Sequence, residues 1–365
     1  MGLDFFPSRT LTFYLARLFI SRIIAVLILL VLVLQVLDLL TESGQILAQP
    51  GNGQAQMWTY VTLRTPQLIA RFLPYSVLLA TLFTFWPLNQ NSEVVSMRAA
   101  GLSAHQILAP MLLTALVVAL ASFAFNERVV TRSTATLKAW QAVTYGPMPV
   151  TSAMRNNVYL RDGDNILMAA SLNGAGDAIV MTNVTWYRRN AQMMVIGTLK
   201  APRATFAAPG WRLEQASEFD VQGAFSRPVG TVVVAQSVTP QQVSISKVDA
   251  DAEDIFALSR SITALKAAGR RTAELEGKWW HKITGPLSAL LMPLLGSVAA
   301  FGLARSGKLL VRGVIGMMLG FTYFVFDNAA MAIGNFGGYP PLIAAWAPFT
   351  LFFLVGETVL VRTEE

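Results

Sequence analysis

Gly302, Gly307 and Lys308 stand at the spacing of a phosphate-binding loop, whose backbone amides cradle phosphates while its lysine reaches the terminal ones. The next position, where a hydroxyl must hold magnesium, is Leu309, and the residues before Gly302 form an apolar helix rather than a strand. The segment therefore reads as the basic, glycine-capped end of a membrane helix, and nucleotide chemistry is not expected of this chain. With 0 Cys and 2 His, disulfides, thiol nucleophiles and Cys-containing zinc sites are removed. His105 and His281 lie near predicted helix ends with no serine or carboxylate pattern of acyl transfer around them, and both read as interfacial.

More chemistry resides in polar residues set among apolar ones. Asp327 falls inside an apolar helix, where a carboxylate costs on the order of 2.5 to 3.5 kcal/mol at the midplane unless it is paired or hydrated. It either reaches the outer interface or pairs with Arg64 or Arg71 near the outer end of the second helix, or it lines a hydrated cavity. Gln35 and Asp38, in the outer part of the first helix, pose the same alternatives. A third group is the stretch from Asn91 to Ser103, with Asn and Ser at its start, Val94, Val95 and Met97 as an apolar surface, Glu93 and Arg98 flanking them, and Gly101 as a stop. A short helix of this kind either floats at an interface or fits a groove on a cytoplasmic motor.

Those residues must be positioned by a membrane scaffold. Of 365 residues 54% are hydrophobic and only 13% charged, with a mean hydropathy of +0.49, whereas a soluble domain carries about 25% charge. Six stretches are long enough to cross the roughly 30 Å hydrocarbon layer, at about 18–40, 66–88, 107–125, 279–303, 313–333 and 342–361. The net charge of +7 is one-sided: Arg9, Arg17, Arg22, Arg98, Arg305, Lys308, Arg312 and Arg362 all fall on one side if the helices alternate. By the positive-inside rule both termini are cytoplasmic and the insert between spans three and four is external. The first apolar run is too long for a signal peptide.

That insert, 126–277, is rich in charge and in short apolar runs bounded by turn signals, which predicts an all-β, jellyroll-like domain. Runs at 157–160, 165–169, 179–187, 193–200 and 231–235 are separated by turns such as Arg161-Asp162-Gly163-Asp164 and Ala208-Pro209-Gly210. From Asp251 to Ala268 the period becomes helical, with Ile255, Leu258, Ile262 and Leu265 on one face. The expected organisation is therefore helices one to three in 1–125, with the short cytoplasmic helix near 89–102, then the external domain with a helical connector, then helices four to six in 278–365.

The stretch Ser92-Glu93-Val94-Val95-Ser96-Met97-Arg98-Ala99-Ala100-Gly101 resembles the coupling-helix signature of the LptF/LptG permeases of the lipopolysaccharide exporter. The layout of three helices, external β domain and three helices agrees over essentially the whole chain. Lys282-Ile283-Thr284-Gly285-Pro286-Leu287-Ser288, Tyr323-Phe324-Val325-Phe326-Asp327 and Tyr339-Pro340-Pro341 look more like the LptG branch than LptF. The resemblance implies an inner-membrane ABC transporter permease subunit, not itself an enzyme, paired with an LptF-like paralogue. It implies a dimer of LptB-like ATPases that carries the ATP and magnesium, and lipopolysaccharide as the cargo. The β domain would be periplasmic and hand lipid toward LptC-like and LptA-like proteins, with no role for nucleic acid. Glu93, Val94, Val95, Met97 and Arg98 are then the ATPase-coupling residues. Gln35, Asp38, Arg64, Arg71 and Asp327 are candidates for the lipid path, since helices one and five line the family's lateral gate. Family members can carry lysine where this chain has Gln35, so a charge contact at that point passes to Arg64 or Arg71. The alternative function is a non-transporting scaffold or mechanotransmission protein, whose external domain would be expected after the first helix instead of the third.

Overall fold

The structure, a computed structural model, describes residues 7–147, 155–173, 178–221, 223, 225–240, 243, 248–267, 269–301 and 309–362. The phosphate-loop-like segment, with Arg305 and Lys308, lies outside them. Two compact units are present. The first comprises Met1–Thr134, Ala250–Ile262 and Arg271–Glu365, and the second Ala135–Asp249 and Thr263–Arg270.

The first unit is helical. Its long elements are α1 (Arg9–Leu47), α2 (Gln54–Gln90), the short α3 (Glu93–Ala99) and α4 (Ala104–Phe125). A π-helical stretch, Asn126–Val130, continues α4 into α5 (Thr131–Ala142). After the β unit come α6 (Ile255–Ala267), α7 (Ala273–Phe301), α8 (Leu309–Asn335) and α9 (Pro341–Arg362). Among the described residues five helical runs are long and apolar enough to cross a membrane: α1, α2, Ala104–Ala142, Gly313–Asn335 in α8, and α9. The expected fourth span falls on α7, the helix that packs against α2, α4, α8 and α9 together.

Small residues allow this packing. A Cβ on Gly320 of α8 would overlap the Leu78 side chain on α2, so the close approach of the two helices here relies on a glycine or on displacement of Leu78. The core they share runs through Leu15, Phe19 and Ile23 of α1, Val77 and Phe85 of α2, Met111 of α4, Leu291 and Leu295 of α7, and Tyr323 of α8. Three prolines, at 66, 74 and 87, lie within α2. The hydroxyls of Ser76, Thr81 and Thr84 satisfy themselves on carbonyls four residues earlier, which lets polar side chains lie inside an apolar bundle.

The second unit is a six-stranded antiparallel sheet, β1 (Arg155–Asp162), β2 (Asn165–Asn173), β3 (Val180–Arg189), β4 (Val195–Ala207), β5 (Gly210–Asp220) and β6 (Phe225–Val234). The jellyroll expectation requires strands paired out of sequence. Among the described strands every pairing joins consecutive ones, in the order β1 to β6, so this part is a meander built from tight turns. Its core, with Leu167, Met181, Val184, Trp211 and Leu213 buried, is pinned where the Trp211 indole donates to the Val238 carbonyl at 2.9 Å. β6 is an edge strand, nearly all exposed, and Pro228 within it withholds an N–H that only an edge can spare.

Candidate functional site

The residues singled out in the sequence form two separate groups in the helical unit, one on the short α3 and one among the membrane helices. α3 is cut off sharply at both ends. Ser92 before it adopts a left-handed backbone, φ 57°, and Gly101 after it has φ +89°, a conformation glycine adopts without strain. Gly101 N–H donates to the Arg98 carbonyl at 2.9 Å and Leu102 N–H to the Met97 carbonyl at 3.2 Å, the paired bonds that close a helix C-terminus. Glu93 in the first turn and Arg98 in the last follow the polarity of the helix dipole.

The expected apolar surface of α3 divides in two. Val94 is buried, which contributes about 1.5 to 3 kcal/mol, and the partly buried Met97 packs against the helical core beside Leu102, so these two residues hold the helix down. Val95 alone of the three is exposed, and Arg98 projects with it. Two contacts absent from the sequence reading tie α3 to distant helices. The Tyr14 hydroxyl of α1 donates to Glu93 Oε2 at 3.2 Å, and the Arg98 guanidinium lies 5.5 Å from the centre of the Phe301 ring, at the C-terminal end of α7. Phe301 in turn meets Phe85 edge-on at 5.2 Å.

The second group assembles at the ends of α1 and α2 that face their connecting turn. Arg64 grips Asp38 with two hydrogen bonds, Nη2 to Oδ1 at 2.9 Å and Nε to Oδ2 at 3.0 Å, and the Tyr60 hydroxyl donates to the same Oδ2. Arg64 also reaches Gln67 Oε1 at 2.7 Å. One helical turn deeper, Thr65 donates to Gln35 Oε1 at 3.2 Å, while Gln35 Nε2 is buried without a partner. The bidentate pair is less than a third exposed, so removing one member strands the other's charge. Arg64→Met and Asp38→Leu are each expected to lower the thermal stability of the detergent-solubilised protein. The double variant should recover part of the loss, with a coupling of about 1 to 2 kcal/mol in the cycle. Strictly additive losses in thermal melts would show that the pair does not act as a unit.

Asp327 stands apart from that pair. Neither arginine proposed for it is its partner: Arg64 is spent on Asp38, and the guanidinium of exposed Arg71 lies 6.0 Å from the Phe72 ring centre. Asp327 Oδ2 instead lies 3.8 Å from His281 Nε2 of α7, and its Oδ1 is buried without a hydrogen bond. Around it Tyr75 of α2 stacks on Phe324 with ring centres 3.9 Å apart, and Tyr323 meets Phe324 edge-on. The sequence places His281 at an interface, whereas the structure sets it opposite Asp327. An ionisable residue inside an apolar helix tends to face another polar group, and that rule points to the pair even though no local motif does.

The chain matches the family model described as lipopolysaccharide export system permease LptF/LptG over residues 13–362. The lipopolysaccharide export system permease protein LptG of Escherichia coli strain K12 is 27% identical over 310 residues, covering 83% of this chain and 84% of that protein. The LptG protein of Haemophilus influenzae is 23% identical over 365 residues, covering 98% and 99%. With apolar helices, a β insert and a short anchored α3 between α2 and α4, the match spans both units, and the chain belongs to the LptF/LptG family of lipopolysaccharide export permeases.

Proposed function

We propose that the chain is one permease subunit of an ABC transporter that extracts lipopolysaccharide from the inner membrane and passes it to a periplasmic bridge toward the outer membrane. The chain crosses the membrane six times, α7 supplying the fourth span beside the five apolar helical runs, with both termini cytoplasmic and the sheet periplasmic. A partner ATPase dimer of the LptB type holds ATP and magnesium, an LptF-like paralogue completes the enclosure, and LptC-like and LptA-like proteins receive the lipid. The observation that carries this reading is α3. It is rooted in the core by Val94 and Met97, joined to α1 by Tyr14 and to α7 by Phe301, and it turns Val95 and Arg98 outward where a motor can push on them. Asp38, Arg64 and Gln35 on α1 and α2, together with Asp327 on α8, are the polar groups offered to the lipid path, and Arg71 is an exposed cation beside them.

Affinity purification from the native membrane under mild extraction tests it. The expected result is a complex containing a cytoplasmic ABC ATPase, a second permease and bound lipopolysaccharide, identified by mass spectrometry. Recovery of the chain alone, with neither ATPase nor lipid, would overturn the permease reading.

A further inference from the structure

The chain enters the β unit through the π stretch and α5 and leaves it through α6, and within the helical unit these two paths are fastened together. Glu127, in the π stretch, accepts the backbone N–H of Ile255, the first residue of α6, at 2.5 Å. Its other oxygen accepts from Lys282 Nζ of α7 at 3.2 Å. The Trp279 indole, one turn earlier on α7, donates to the Ile255 carbonyl at 3.1 Å. Both side chains of the ion pair are nearly buried, Lys282 8% and Glu127 12% exposed.

Helix capping explains only part of this arrangement: Asp254 Oδ1 takes the Ala257 N–H at 2.7 Å and Glu127 takes that of Ile255, but capping α6 does not call for the second bond, to Lys282 of α7. Stability does not explain that bond, because apolar residues of similar volume are commonly as stable as a buried ion pair. What the charges add is a specific, reversible attachment that joins three elements at one carboxylate. The π-helical turn that carries Glu127 is itself a departure frequent at functional positions.

α7 connects this clasp to α3. Its far end holds Phe301 under Arg98, its near end holds Lys282 and Trp279, and between them it packs against α2, α4, α8 and α9. We propose that Glu127 and Lys282 are positioning residues for transport: α7 carries displacement from the ATPase-facing α3 to the clasp, which passes it to α6 and so along the chain to the β unit. The proposal rests on the permease reading.

The test uses the complete complex in proteoliposomes, with lipopolysaccharide delivery to a purified periplasmic acceptor and ATP hydrolysis measured in parallel. Lys282→Met leaves Glu127 bonded to the Ile255 amide but removes the ion pair to α7, which then keeps only the Trp279 bond to Ile255. Delivery should fall by about tenfold, the scale of a lost coupling contact, while ATP hydrolysis stays within about twofold. Lys282→Arg should retain delivery. The exchange of Glu127→Lys with Lys282→Glu restores opposite charges but gives the Ile255 N–H no acceptor at position 127, and it should remain defective. Wild-type delivery in Lys282→Met would overturn the proposal, as would a parallel fall of delivery and hydrolysis with loss of the assembled complex, which marks a plain structural role. Failure of the unaltered complex to deliver lipid would instead overturn the permease reading.

Discussion

Glu93→Lys is expected to abolish lipopolysaccharide delivery while leaving the subunit folded and in its complex. The carboxylate sits in the first turn of α3, where it accepts the Tyr14 hydroxyl of α1. A lysine there loses that bond and opposes the helix dipole, at a cost of about 0.3 to 1 kcal/mol for a half-buried group at a short helix. That cost is small beside the anchoring by Val94 and Met97, which the substitution does not touch, so α3 stays seated. What changes is the charge offered to the motor. Coupling free energies between sites run to about 1 to 3 kcal/mol, and reversing a contact charge removes the term and adds repulsion. Delivery should therefore drop at least about tenfold, with ATP hydrolysis by the purified complex persisting. Unchanged delivery would remove Glu93 from the coupling contact. A Val95→Ala variant, which alters the exposed apolar residue of α3 without a charge change, should weaken the ATPase association more mildly.

Much of this architecture is written in local patterns. The apolar spans are legible because a bilayer demands about twenty apolar residues at a time, and α3 because Glu93, Arg98 and Gly101 punctuate seven residues in a short connection. The strands with apolar runs, β1 to β4 and β6, fall where alternation and turn signals place them. β5 does not show itself as an apolar run, because Arg212, Glu214 and Glu218 break it up and the register shifts on either side of Ala216 interrupt the alternation. The helical run to Ala142 is hidden for a related reason, because hydropathy stops at Phe125 while helical geometry does not.

The partners of the candidate residues are harder to read, because they depend on which helix faces which. Val94 and Met97 look identical to Val95 in composition, and only the position of the core beneath α3 separates anchors from a docking surface. Asp38 and Arg64 lie 26 positions apart, and Glu127 and Lys282 lie 155 apart. No periodic signal links residues at such distances. The likeness to relatives at 23 to 27% identity speaks for the layout, and the side-chain contacts have to be taken from packing.

Asp327→Asn is expected to move stability and transport in opposite directions. The carboxylate is 7% exposed, bonded to nothing at Oδ1, and 3.8 Å from a histidine that carries charge only when protonated. A charge so placed in an apolar helix costs on the order of 2 to 3 kcal/mol, and asparagine keeps the size and a polar contact to His281 without that cost. If packing were the only demand, selection would favour the neutral residue. The variant should therefore melt at the same temperature or a few degrees higher in detergent, while lipid release from the membrane falls by about tenfold, because on the proposed lipid path α8 loses the carboxylate that faces His281 of α7. His281→Gln should reproduce the loss of release, and combining the two should add little, as expected of one interaction removed twice. Wild-type release by Asp327→Asn, whatever its melting temperature, would return the pair to packing alone and leave Asp38 and Arg64 as the charged pair of the lipid path.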